Sequence, residues 1–174
     1  MPFTPYHLGP AIALGLPLRG TLHAPTLILC SVILDIEPLL VLLLGLPYPL
    51  HGYTHTFLLA IPIGLGLGYL MFRLEEALRP VYRALLLEPE KRLNLASYLA
   101  AGALGTTIHV MLDSPLYDDI RPFFPFQANP LFDPSLSSLV YSVSLWLGIL
   151  GIMYWTFRFV ASSKRSDPSR IDHP

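Results

Sequence analysis

The chain has 174 residues, of which 53% are hydrophobic and only 13% charged, with a formal net charge of −1. A soluble globular domain carries about 25% charged residues, so this shortfall, with a mean hydropathy of +0.54, excludes an ordinary soluble domain and points to an integral membrane protein. No polybasic tract argues for a nucleic acid partner, and the single cysteine, Cys30, excludes an internal disulfide and a cysteine-based zinc site.

In chain order, the start MPFTPYHLGP lacks the basic n-region of a secretory signal and is interrupted by prolines. Residues 8–20 read as a short apolar helix, too short to span comfortably. Residues 25–46 form a second helix with Asp35, Glu37 and Pro38 near its middle. Residues 51–72 form a third, opening on HGYTHTF. The charged stretch 73–92 reads as a surface hairpin or amphipathic helix outside the hydrocarbon. Residues 93–116 form a fourth helix, whose small residues AAGALG (100–105) allow close helix contact. A Pro- and Phe-rich loop, 117–135, leads to a last helix at 136–160, with Trp155 as an interfacial anchor. The expected fold class is all-α. Residues 1–160 make one membrane bundle of about four to five helices with a short first helix, and residues 161–174 make a disordered cytoplasmic tail.

If the third, fourth and last helices span, the 73–92 segment and the tail share one side, and nearly all Lys and Arg lie there. The opposite side holds only Arg121. The positive-inside rule then makes the basic side cytoplasmic, as expected for a protein of the cell (inner) membrane.

Four histidines, His7, His51, His55 and His109, fall at the other, outer ends of these segments. Ionisable groups inside membrane helices are costly, and their default reading is functional. His51 and His55, and likewise His109 and Asp113, are four apart, which on a helix puts Cβ atoms about 5–6 Å apart on one face. That spacing lets two side chains hold one cation. With His7 and Asp35 the set reaches six ligands, which favours two metals over one. A His and carboxylate mixture suits zinc first, with Mn or Fe also fitting. Asp35 and Glu37 are the candidate catalytic carboxylates. At i,i+2 they diverge on a regular helix, unless Pro38 unwinds the turn and lets both converge. Asp35 is favoured as a ligand, and Glu37 as general base or as a partner that orients a ligand. Thr54 and Thr56 cap the third helix or bond a ligand; His23 and His173 have no evident partner and read as structural.

At these residues the chain resembles the family of membrane-bound metal-dependent hydrolases of the inner membrane. The elements that carry the resemblance are YHLGPA (6–11), DIEP (35–38), HGYTHT (51–56) and HVMLD (109–113), in that order over residues 3–116. Gly52 stands alone where many relatives have Arg-Gly, and Thr56 replaces Ser. The resemblance implies a helical membrane fold and a hydrolase, without a substrate class. The order of acid, His and H-x-x-x-D is also similar to zinc-dependent phospholipase C, a likeness resting on spacing alone, which implies phosphoester chemistry. Arg121 is then a candidate for binding a phosphate oxygen of the substrate.

Three functions fit. The first is a metal-dependent hydrolase at the extracytoplasmic face, acting on a phosphoester of a lipid or small molecule through a metal-activated water, with Phe123, Phe124 and Phe126 dipping into the interface. The second is a metal-ion or proton transporter using the same ligands. The third is a membrane scaffold with a structural metal. The bilayer is a partner in all three, and the sequence leaves the oligomeric state open.

Overall fold

A computed structural model describes residues 5–165 as six α-helices: α1 Pro5–Gly15, α2 Ala24–Cys30, α3 Ile36–Leu44, α4 Phe57–Ala84, α5 Leu95–Asp113 and α6 Ser137–Arg165. Among the described residues there is no strand, so the fold is all-helical as expected. Of the tail expected from 161, residues 161–165 continue α6, and 166–174 lie outside the described residues.

Among the described residues, four segments are long and apolar enough to cross a membrane: Ala24–Leu44, Phe57–Ala84, Leu95–Asp113 and Pro134–Ala161. Their outward faces are greasy, with Leu43, Trp146 and Phe157 all exposed. Large apolar side chains turned outward are what a bilayer solvates and water does not.

The helices pair as α4 on α5, α1 on α6, and α2 on α5. Between spans the hydrophobic effect supplies little drive, and close backbone approach takes over. A Cβ on Gly102 would collide with the carbonyl of Gly64 across the α4–α5 contact, and one on Gly9 would meet the Ser144 carbonyl of α6. The expected small-residue contact at 100–105 therefore serves two seams, Gly102 against α4 and Gly105 against Leu27 and Cys30 of α2.

The second span is not one helix. It breaks after Cys30, passes through a 3-10 turn at Ile33–Asp35, and restarts as α3. The break lies upstream of Pro38, where unwinding was expected. Pro38 falls in the first turn of α3, where a missing N–H costs nothing, so it opens a helix instead of disrupting one. At the far end Gly45 takes a left-handed φ of 61°, and Leu46 N–H closes back on the Val41 carbonyl at 3.0 Å.

Further boundaries differ from the sequence reading, and the first helix covers Pro5–Gly15 in place of 8–20. The third span starts at Phe57, not 51. Thr56 is extended and caps it, its hydroxyl accepting from Leu59 N–H at 3.3 Å. Residues 51–56 form a loop with a 3-10 turn at Tyr53–His55. At the other end α4 runs on to Ala84, so residues 73–84 of the 73–92 stretch continue the span as helix and form no separate hairpin. Helix formers dominate there, and Arg79 pairs with Glu76 at 2.9 Å in i,i+3 register. Arg19, before α2, reaches Glu90 at 2.6 Å, which places it at the same end as the other basic residues.

Candidate metal centre

The other end of the bundle gathers the histidines. His109 and Asp113 project from one face of the last turns of α5, His109 Nε2 standing 3.3 Å from Asp113 Oδ2. Their i,i+4 helical spacing is as the sequence required. His7, in the first turns of α1, brings its Nε2 to 3.1 Å from Asp113 Oδ1 and stacks its ring on His109 at 4.0 Å. Asp35, at the break in the second span, puts Oδ1 3.8 Å from His109 Nε2. From the 51–56 loop, His55 Nε2 stands 3.2 Å from His109 Nε2 and 3.9 Å from Asp113 Oδ2. The His51 ring packs edge-on against His55 at 4.9 Å.

These residues form two groups, each with its ligand atoms within 4.8 Å of one another: His7, Asp35, His109 and Asp113, and His51, His55 and Asp113. Asp113 belongs to both. All the imidazoles and Asp113 are buried. Ligands bonded to zinc at about 2.0–2.1 Å in a tetrahedron stand about 3.3 Å apart, and the distances between these donor atoms bracket that value.

The far nitrogens settle which atoms face inward. His109 Nδ1 lies 2.8 Å from the Ser31 carbonyl, which can only accept, so this nitrogen carries the proton. The carbonyl is free because the second span breaks there. His55 Nδ1 lies 3.0 Å from Glu37 Oε2, and His51 Nδ1 lies 2.9 Å from Asp119 Oδ1, so both donate to carboxylates. A neutral imidazole that donates through Nδ1 has a bare lone pair on Nε2. The lone pairs of His55 and His109 thus face each other at 3.2 Å beside the Asp113 carboxylate. Acceptors crowded this way without donors are unfavourable until a cation or proton joins them. The donor set therefore fits a divalent metal ion. Burial holds His55 below the ordinary imidazole pKa, although the Glu37 hydrogen bond acts the other way, and the neutral form is the one that ligates.

The two acids of the second span do not converge. Asp35 faces the nitrogen cluster. Glu37 lies behind His55, where it also accepts from Gly52 N–H at 3.0 Å, the Thr54 hydroxyl and the Tyr48 hydroxyl. These bonds explain the missing first turn of the third helix, because the 52–54 backbone and hydroxyl groups turn to Glu37. The i,i+4 premise for His51 and His55 therefore fails: a clamped loop, not a helix face, brings them together. Thr56 caps and Thr54 binds Glu37.

Arg121 lines the mouth beside His51, with one guanidinium nitrogen tied to the carbonyls of Asp118 and Ile120 at 2.6 and 3.1 Å. Phe124 packs on Tyr53 and Phe123 on Phe57, while Phe126 is 74% exposed. The sequence reading missed Asp119 and Tyr117, whose ring lies 4.2 Å from that of His51. The adjacent acids of YDDIRP, just past the H-x-x-x-D element, were the available signal. His23 does have a partner, the Thr26 hydroxyl, and lies beside Glu75 at the basic end.

Fold and site together define a helical membrane protein with a buried His/Asp cluster able to hold a metal ion. Among known proteins, no family model, no curated sequence and no solved structure matches the chain.

Proposed function

We propose that the protein is a metal-dependent hydrolase acting on phosphoesters at the extracytoplasmic face of the cell membrane, with zinc as the favoured ion and Mn or Fe as alternatives. The observation that carries the reading is the carboxylate of Asp113, shared by two ligand groups in which His51, His55 and His109 each use Nδ1 for an outward hydrogen bond. His7, Asp35 and His109 would hold one ion, His51 and His55 a second, with Asp113 between them. A divalent ion there would lower the pKa of an attacking water and supply positive charge beside phosphoryl oxygens.

The chain's own groups do the rest. Glu37 and Asp119 fix the tautomer and aim of His55 and His51. Asp35, only partly buried at the edge of the cluster, would hold the ion through one oxygen and could take a proton from water through the other. Arg121 supplies the cation of the mouth for an anionic substrate. The resemblance to membrane-bound metal-dependent hydrolases, and the weaker one to zinc-dependent phospholipase C, supports the same chemistry. The distribution of Lys and Arg supports the orientation.

The test is metal content of the purified protein, followed by turnover of phosphomonoesters and phosphodiesters by wild type, His55→Ala and Asp113→Asn. The expected result is bound divalent metal and turnover in wild type, both lost in the variants. Metal without turnover would point to a structural ion, and metal uptake into vesicles without turnover to a transporter; either overturns the hydrolase reading.

A further inference from the structure

Three cavities adjoin one another beside His51, at the edge of the centre, and they differ in chemistry. The middle one, about 360 Å³, is lined by His51, Gly52, Asp119, Arg121 and Gln127, with Tyr48 and Phe124 at its edges. Its cation is Arg121, while Asp119 is engaged by both the backbone N–H and the ring of His51. With Asp119 held by His51, the remaining N–H groups of Arg121 are what the pocket offers to an anionic group. The second cavity, about 400 Å³, begins at Tyr48 and runs between α3 and α4 along Ile33, Ile36, Leu40, Leu46 and Ile63. The third, about 500 Å³, begins at Phe124 and runs along the outer end of α4 over Phe57, Leu58, Ile61, Phe123 and Phe126.

A polar pocket thus has an apolar groove leaving from each side. The divide between the grooves is aromatic: Tyr48 and Tyr53 have ring centroids 6.2 Å apart, and Tyr53 and Phe124 5.2 Å. Such rings belong at the level of lipid head groups, where one face is apolar and the other wet. Each groove has one wall on a candidate membrane span, α3 and α4 for the first and the start of α4 for the second, and the second is closed by the aromatic loop 122–126, so both open toward hydrocarbon. A soluble phosphoester would use neither groove, and a single-chain lipid would fill one.

We infer that this constellation binds a two-chain lipid with a phosphate-bearing head, the phosphate in the Arg121–His51 pocket and one chain in each groove. The inference rests on the hydrolase reading for what becomes of the lipid, but the binding site stands on the cavities alone.

The experiment uses the metal-loaded full chain in detergent micelles. Binding of diacylglycerol phosphate and of its single-chain counterpart is measured by native mass spectrometry. Turnover of both, and of p-nitrophenyl phosphate, is followed in parallel. Leu40→Trp fills the α3–α4 groove and Ile61→Trp the outer α4 groove; both positions face lipid, so folding is not at risk. The expected result is at least tenfold preference for the two-chain lipid, reduced by either tryptophan to the single-chain level. Equal binding of the two lipids, or loss from one tryptophan only, overturns the inference even if p-nitrophenyl phosphate is turned over. Selective two-chain binding without turnover of any phosphoester upholds the lipid site and overturns the hydrolase reading.

Discussion

Each end of this bundle buries a histidine against a carboxylate, and the two ends use the pair differently. At the basic end His23 is fully buried, its Nδ1 2.7 Å from the Thr26 hydroxyl and its Nε2 3.2 Å from Glu75, out of line for a hydrogen bond. Tyr98 stacks on its ring at 4.1 Å and Tyr82 meets it edge-on at 5.2 Å. Burial pushes its pKa down to about 4. One imidazole, one carboxylate and two rings make a packed polar contact. At the other end His55 and His109 turn bare nitrogens toward each other, with His7 and two aspartates around them. Burial is common to both ends, so it does not mark a metal site. What sets the outer end apart is the convergence of two imidazoles whose outward nitrogens are already donors, His55 and His109, on one shared carboxylate, an arrangement able to hold a metal ion.

The comparison breaks most visibly at Asp113. Asp113→Asn removes the carboxylate common to both groups. Metal affinity, measured by titration with a chelator, should fall by more than about 100-fold, since losing only the partner of a ligand costs about 10–100-fold. Retained affinity would mean the metal sits elsewhere. The next effect is that of the partners themselves. Glu37→Gln should weaken metal binding by about 10–100-fold. Asp119→Asn should fall in the same range, with its loss confined to the His51 group. If Glu37→Gln binds as wild type does, the tautomer argument for His55 fails.

The basic end should answer in stability and not in metal. Glu75→Gln is expected to leave metal content unchanged within error while shifting the thermal midpoint. A change in metal content would contradict the division between the ends. The smallest effect is a slope with pH. His23 is neutral in the fold down to about 4 and ordinary, near 6.5, when unfolded. Below 6.5 the unfolded chain takes the proton first, so stability falls as pH falls, until the slope ends near 4. This histidine contributes at most about 1.4 kcal/mol per pH unit. His23→Phe, followed by unfolding in detergent across that range, should lose this component of the slope; an unaltered slope would assign it to other groups.

The sequence made some parts of this molecule readable for definite physical reasons. Span positions follow from apolar length, and His109 with Asp113 follows from helical spacing, because α5 is regular through both residues. His51 and His55 were identified through a helix that does not form there, since Glu37 captures the 52–54 segment from 15 or more positions away. No local period encodes such a bond. Asp119 escaped for the same reason, meeting His51 across 68 positions. Pro38 misled because a proline in a first turn and one inside a helix look alike until the start of the helix is known. The continuation of α4 past residue 72 was hidden by charge, which marks the end of the hydrocarbon and not the end of the helix.

The most direct measurement is anomalous X-ray scattering from crystals of the purified protein, collected at the absorption edge of the metal it carries. The structure predicts one or two peaks within bonding distance of Asp113, one of them adjacent to the Nε2 atoms of His55 or His109, and their absence from Asp113→Asn crystals. Wild-type crystals with no peak there, or peaks that persist in the variant, would contradict a metal centre built on Asp113.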